Sequence, residues 1–267
     1  MASKIQTVKG TREFYPEQMF ARNFIFEKVR AASEMFGYQE YDGPFIEPLE
    51  LYAAKSGEEL VKKQSFTFED RGGESVALRP ELTPSLARMI AAKQGELNFP
   101  ARWWSFGPFW RYESPQRGRT REFFQWNIDM LGVDSPEADA ELIAAGAAFL
   151  RSVGLSPSLA QISVNNRRLM DSQFDALDIP TEKRVDVSNL VDRRAKMESA
   201  KWDAYALELG LNQKQLDGLK SLLGNFDLWK QSDELTRTFA ALEALGVKDY
   251  VKFDPNIMRG LLYYTGT

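Results

Sequence analysis

The 267-residue chain contains no cysteine and no histidine. Disulfides are therefore excluded, as are zinc sites of the usual Cys/His kind and every catalytic triad that needs imidazole. Long apolar runs are missing too. Met1 to Gln6 has no apolar h-region and no 18-residue apolar stretch occurs, so neither a secretory signal nor a membrane span is expected, and a cytoplasmic location is the default. There is no excess of basic charge either: 34 Lys and Arg stand against 38 Asp and Glu, a net charge of -4. Any contact with nucleic acid must then come from a local patch. No internal repeat or low-complexity segment is seen. What remains for chemistry is carboxylates, arginines, backbone and the substrate itself.

What is present has an ordinary globular balance, 43% hydrophobic and 27% charged, in a chain long enough for one large domain or a domain with an insertion. The most informative stretch runs from Phe109 to Met130. Aromatic and β-branched residues flank a centre of Ser114, Pro115, Gly118 and arginines, which predicts strand, loop, strand. With period two, Phe124, Trp126, Ile128 and Met130 share a core face of the second strand. Arg121, Phe123, Gln125, Asn127 and Asp129 share the other, and Arg111 can join them from the facing strand. Arg111, Arg117, Arg119 and Arg121 fall within eleven residues, and the planar guanidinium fork suits phosphate oxygens. The plain alternative is a solvated charged hairpin. A core face on the same strand weighs against it, because the opposite side is then held in a fixed geometry.

Upstream, Pro16 and Gly37 bracket an amphipathic helix with Phe20, Phe24, Ile25, Val29, Ala32 and Phe36 on its apolar face, followed by a strand closing on Pro44. A hairpin is predicted around Arg71-Gly72-Gly73-Glu74. Arg79-Pro80-Glu81-Leu82-Thr83-Pro84 leads into a helix ending at Gly95, with Thr83 as its N-cap. Ser135-Pro136-Glu137 opens a helix running to Gly154; its small residues, Ala144 to Ala148, predict close packing on the sheet. Gln161 to Asn165 is a further strand. From about Asn166 to Lys248 only helical periods occur, separated by Pro180, Gly210, Gly224 and Gly246. The chain closes on Arg259-Gly260-Leu261-Leu262-Tyr263-Tyr264-Thr265-Gly266-Thr267.

Phe109 to Gln125 resembles the second signature motif of class II aminoacyl-tRNA synthetases, and Arg111 to Phe123 is similar to the histidyl-tRNA synthetase version of it. The helix, strand and Pro44 resemble the first class II motif, which in that family builds the dimer interface. The closing segment resembles the histidine-specific signature Arg-Gly-Leu-x-Tyr-Tyr-Thr, with Leu262 where the family usually has Asp. The resemblance covers essentially all of the chain. It implies an α+β fold, a class II synthetase-like antiparallel sheet flanked by helices, with an inserted helical subdomain. Residues 1–165 would form the catalytic core, 166–250 the helical insertion and 251–267 the return to the core, stopping before the third motif.

The resemblance further implies that a homodimer activates histidine with ATP and Mg2+ to histidyl-adenylate and pyrophosphate, then transfers histidine to tRNA(His). By family position Arg111 binds the α-phosphate and Arg259 is the second catalytic cation. Arg119 lies in the loop that holds the outer phosphates, and Glu113 lies near the adenine. Glu81 and Thr83 are candidates for the α-ammonium of histidine. Gln125, Asp129, Arg259, Tyr263 and Tyr264 are candidates for the rest of the amino acid, with Asp129 accepting from the imidazole and Tyr264 bonding its other side. No protein-held metal is implied. Because the third motif and its adenine-stacking arginine lie beyond this sequence, residues 1–267 alone are expected to be weakly active or inactive.

Two other functions stay open. One is the non-catalytic, synthetase-like regulatory subunit of ATP phosphoribosyltransferase in histidine biosynthesis, which Leu262 and the missing third motif keep in play. The other is an RNA-binding module using the arginine loop, which leaves Glu81, Gln125 and Asp129 without a role.

Overall fold

The computed structural model describes residues 5–53, 64–258 and 266–267. The chain divides into two units, Met1–Val133 and Asp134–Thr267. The closing signature residues Arg259, Leu262, Tyr263 and Tyr264 lie outside the described residues.

In the first unit, helix α1 (Pro16–Met35) starts at a proline whose missing N–H is no loss at that position. The Gln18 side chain accepts from the Tyr15 backbone N–H at 2.8 Å, closing the first turn. Strand β1 (Gln39–Glu40) follows, then β2 (Ile46–Pro48) and the short helix α2 (Leu49–Ala53). Strands β3 (Thr67–Glu69) and β4 (Ser75–Leu78) form the predicted glycine-turn hairpin. The Asp70 carboxylate accepts from the backbone N–H groups of Gly72 and Glu74, at 2.7 and 2.9 Å, and fixes that turn. Helix α3 (Thr83–Lys93) leads to the long strands β5 (Ala101–Trp110) and β6 (Glu122–Leu131). β5 and β6 pair antiparallel from Ala101 opposite Leu131 to Trp110 opposite Glu122, and β1 joins the free edge of β5 in parallel. A second sheet has the order β2-β4-β3 and is antiparallel throughout.

Register sorts the side chains as period two requires, since residues directly opposite in an antiparallel pair project from the same face. Trp104, Phe106 and Trp126 turn towards α1. Phe26 of that helix lies 6.3 Å from Trp104 and 5.6 Å from Phe106, ring to ring, and the Trp126 indole N–H donates to Ser33 at 3.1 Å. Trp104 is fully buried, the kind of burial that stabilises by roughly 1.5 to 3 kcal/mol for a large apolar side chain.

Two expectations need correction. Thr83 is the first helical residue of α3 and not its N-cap; that place falls to Leu82, already in the right-handed helical region at φ -105°, ψ -21°. Leu82 and Leu86 are both buried, and the Leu86 N–H bonds to the Leu82 carbonyl at 2.9 Å, so burial of this leucine pair brings the helix start forward by one residue. The apolar face of α1 is also only partly covered: Val29 and Ala32 are buried, while Phe20 is 77% exposed and Phe24 and Ile25 remain open.

In the second unit, helix α4 (Pro136–Ser152) is capped by Ser135, whose hydroxyl accepts from the Ala138 N–H at 3.2 Å. Its buried alanines, Ala140, Ala144, Ala145 and Ala147, allow close approach. Within this unit the partners of α4 are helix α9 (Asp233–Ala244) and strand β7 (Ile162–Val164). Arg237 of α9 forks onto Glu137 at 2.9 and 2.7 Å. Between β7 and α9 run α5 (Arg167–Ala176), α6 (Arg184–Arg193), α7 (Ser199–Glu208) and α8 (Gln213–Leu223), with no strand among the described residues of that stretch. Asn166, Asn212 and Ser232 cap α5, α8 and α9. Strand β8 (Val251–Phe253) then returns to pair with β7 in parallel.

Candidate active site

The face of the β5–β6 ribbon turned away from α1 is a ladder of opposed pairs: Trp103 with Asp129, Ser105 with Asn127, Gly107 with Gln125, Phe109 with Phe123. The Arg111 N–H extends the ladder by bonding to the Arg121 carbonyl at 2.9 Å. Gln125 and Asp129 are thus four residues apart on one side, about 13 Å along the strand. Of the predicted row, Phe123, Gln125, Asn127 and Asp129 are one physical row, while Arg121 precedes β6 and packs on Tyr112.

At its open end Arg111 is held by its guanidinium from two sides. Its Nε donates to the Pro80 carbonyl at 3.1 Å and its guanidinium lies 5.2 Å from the Phe123 ring centroid, leaving both terminal nitrogens for a ligand. The hydrogen bond to Pro80 ties the hairpin base to the segment that carries Glu81 and Thr83. Glu81 is half-buried and Thr83 exposed at the start of α3, and the Thr83 hydroxyl has no hydrogen-bond partner among the described residues.

The tip beyond Arg111 closes through two backbone bonds between Gln116 and Arg119, at 3.1 and 2.8 Å, with Gly118 at φ +79° in the position that glycine takes without steric cost. Arg119 and Glu113 meet there: Arg119 Nη1 is 3.1 Å from Glu113 Oε2, although the contact is not aligned as a hydrogen bond. Arg121 packs its guanidinium on the Tyr112 ring at 4.1 Å, and its Nε donates to the Glu113 carbonyl at 3.1 Å. Arg117 stays exposed. The four arginines therefore divide: Arg111 and Arg121 are held against rings, while Arg117 and Arg119 stand on the loop.

At the closed end, Asp129 accepts from the Tyr41 hydroxyl at 3.3 Å. Burial pushes the Asp129 carboxyl above the usual carboxylate range, and the Tyr41 hydrogen bond draws it partly back. The Tyr41 hydroxyl itself is raised by burial and by the negative field of Asp129.

Three residues of this face were not assigned roles by the sequence. Tyr41 is one. Arg79 is another: a fully buried guanidinium between the rings of Phe45 and Phe109, 4.4 and 4.6 Å from their centroids, paired with Asp42 at 2.5 Å and bonded to the carbonyls of Gly43 and Pro108. Its Nη2 is buried without a hydrogen-bond partner and crosses Gly107, where a Cβ would stand only 2.6 Å away. Asn127, whose buried Nδ2 has no hydrogen-bond partner among the described residues, is the third. The Leu-Arg-Pro-Glu segment carried the signal for Arg79, since an arginine between apolar positions at a strand end must find a counter-charge if buried.

A cavity of about 380 Å³ lies in the second unit, lined by Leu142, Ile162, Val164, Met170, Ile257 and Met258 among others. It is largely apolar and holds none of the described site candidates. Among the described residues no group of three or more acidic side chains could hold a metal ion, and no helix is long and apolar enough to cross a membrane.

A long antiparallel ribbon with a core face, a polar ladder and an arginine-bearing tip, joined to helices in an α+β arrangement, is the architecture of class II aminoacyl-tRNA synthetases. Solved structures agree on the fold: a Nostoc histidyl-tRNA synthetase matches with a TM-score of 0.85 at 24% identity over 98% of this chain and 64% of that one. A Bacillus halodurans protein described as an ATP phosphoribosyltransferase regulatory subunit/histidyl-tRNA synthetase matches at 0.84 and 20% identity, over all of this chain and 72% of that one. The chain belongs to the histidyl-tRNA synthetase family, whose model matches residues 10–267. Similar curated proteins are the histidine–tRNA ligases of Leptospira biflexa, 37% identical over 98% of this chain and 62% of that protein, and of Haloarcula marismortui, 38% identical over 97% and 62%. The chain spans about 62% of the length of these relatives.

Proposed function

We propose that the protein is the catalytic part of a histidine–tRNA ligase. In this reading it activates histidine with ATP to histidyl-adenylate and pyrophosphate, then transfers histidine to tRNA(His). The observation that carries the reading is the polar ladder itself, which sets a fixed cation, Arg111, and a half-buried carboxylate, Asp129, on one rigid face at opposite ends of Gln125.

Activation needs no protein base. A carboxylate oxygen of histidine attacks the α-phosphorus of ATP, the bond to the bridging oxygen breaks, and pyrophosphate leaves with that electron pair. The protein's task is to hold the two substrates in line and to balance the charge that builds up on the α-phosphate. Arg111 does the second, its terminal nitrogens aimed by Pro80 and Phe123. Arg119 stands on the loop as a partner for the outer phosphates, and moving to a phosphate would exchange its half-buried ion pair with Glu113 for another charge-assisted contact. Glu81 and Thr83 receive the α-ammonium, Gln125 spans the middle of the amino acid, and Asp129 accepts from the imidazole N–H. Arg259, Tyr263 and Tyr264, which lie outside the described residues, are assigned to histidine by the resemblance alone.

Magnesium enters with ATP. It would be held through the phosphate oxygens and would neutralise phosphate charge there.

Residues 166–250 act as a helical insertion in this reading, entered after β7 and left at β8, which pair in parallel within the second unit; 251–267 are assigned to the return to the core by the resemblance. A homodimer is supported by the open aromatic face of α1. One residue, Leu262, favours the rival of a non-catalytic regulatory subunit of ATP phosphoribosyltransferase. Charging decides between them: the full-length protein should attach histidine to tRNA(His) in the presence of ATP, and absence of charging with intact folding would favour the regulatory subunit.

A further inference from the structure

We propose that Tyr41 is a positioning residue for the histidine pocket: its hydroxyl holds one oxygen of Asp129, so that the carboxylate turns the other towards a single imidazole N–H. The proposal rests on the reading of Asp129 as the imidazole acceptor.

Tyr41 directly follows β1, and its N–H bonds to the Trp104 carbonyl at 2.9 Å, so its backbone continues the parallel pairing with β5. Its ring lies on Trp103, 5.4 Å between centroids. Trp103 is the residue directly opposite Asp129. The tyrosine therefore reaches across the middle strand of the sheet, over the indole, and meets Asp129 Oδ2 at 3.3 Å. This is the one hydrogen bond to the Asp129 side chain among the described residues, and Oδ1 is left to a ligand. At 3.3 Å the bond is long for a hydroxyl on a carboxylate. It has room to tighten when histidine draws the carboxylate into place.

The charged groups around this pair are few. Asp42 and Arg79 act on Tyr41 from the residue beside it and from the end of β4, and Asp129 feels Tyr41 and its own burial. With its own proton held firmly, Tyr41 stays a donor. Without that hydroxyl, Asp129 loses the interaction that favours its charged form and the contact that fixes its rotation.

Tyr41→Phe should therefore raise KM for histidine about tenfold, the scale of one hydrogen bond to a charged group, with kcat and KM for ATP unchanged. The acid limb of kcat/KM for histidine should move to higher pH, because Asp129 takes up its proton more readily. Histidine-dependent pyrophosphate exchange by the full-length protein reads both effects. Should Tyr41→Phe not fold, fluorotyrosine placed at 41 keeps the shape and strengthens the donor, and must move the acid limb to lower pH. If wild-type exchange requires histidine and the variant keeps both its KM and its acid limb, the role of Tyr41 falls alone. If wild-type exchange takes no account of histidine, the reading of Asp129 falls and this role with it.

Discussion

Asp129 sits where stability and function oppose one another. Its folded-state carboxyl is raised by burial, so it adds no electrostatic penalty below the unfolded value of about 3.9 and a growing one as pH rises through the folded value. Asp129→Asn keeps the shape and removes the charge. Its melting temperature should exceed that of the wild type at pH 7, and the difference should shrink as pH falls below about 4. Histidine-dependent activity should be lost in the same variant. Thermal melts of both proteins across pH check the stability half; a less stable variant at neutral pH would contradict the burial argument. Arg111 differs, since in its proposed role its donors face charge that develops only during reaction. Arg111→Ala should slow histidine-dependent pyrophosphate exchange by about a hundred- to a thousandfold, the scale for one pre-organised donor, while leaving the fold intact by circular dichroism.

Among the elements, the β5–β6 ribbon was the most legible. Its alternation of aromatic with polar residues over Phe123 to Met130 separates two faces, because a one-residue slip would exchange them; the even face meets α1, although every residue of β6 is only half-buried. Thr83 has the chemistry of a cap but is not one, because the start of α3 is decided by burial of Leu82 and Leu86, a tertiary effect that overrides local chemistry. Tyr41 and Arg79 could not be assigned from spacing alone: their partners stand 88 and 37 residues away, Asp129 and Asp42 respectively. Pattern reading reaches neighbours along one element, whereas these contacts are made by the pairing of β1 with β5 and by the entry into α3. Gly107 tests the second of these. Its missing side chain is the space that Arg79 Nη2 occupies, and Arg79 is held too firmly to yield. Gly107→Ala should destabilise the protein by about 1 to 3 kcal/mol, the usual cost of overpacking. A melting temperature equal to the wild type would show that Arg79 moves freely.

For the whole molecule, the apolar periods and glycine terminators from Asn166 to Lys248 predict helices, and the structure agrees: Gly210 and Gly246 follow helix ends at positive φ, and Asn212 and Ser232, signals the periods did not use, cap α8 and α9. The exposed face of α1 was not legible, since a period of 3.6 cannot say whether an apolar face is covered by the same chain or by another. If the proposed homodimer forms through α1, Phe20→Asp with Phe24→Asp should turn it into a monomer in sedimentation while keeping Val29 and Ala32 buried; an unchanged mass would remove α1 from the contact. The central claim is selection of histidine by the polar ladder. It is tested most directly by pyrophosphate exchange into ATP by the full-length protein, with each of the twenty amino acids in turn. Exchange with histidine alone is the predicted result, and exchange with none of them, or with another amino acid as readily as with histidine, would contradict it.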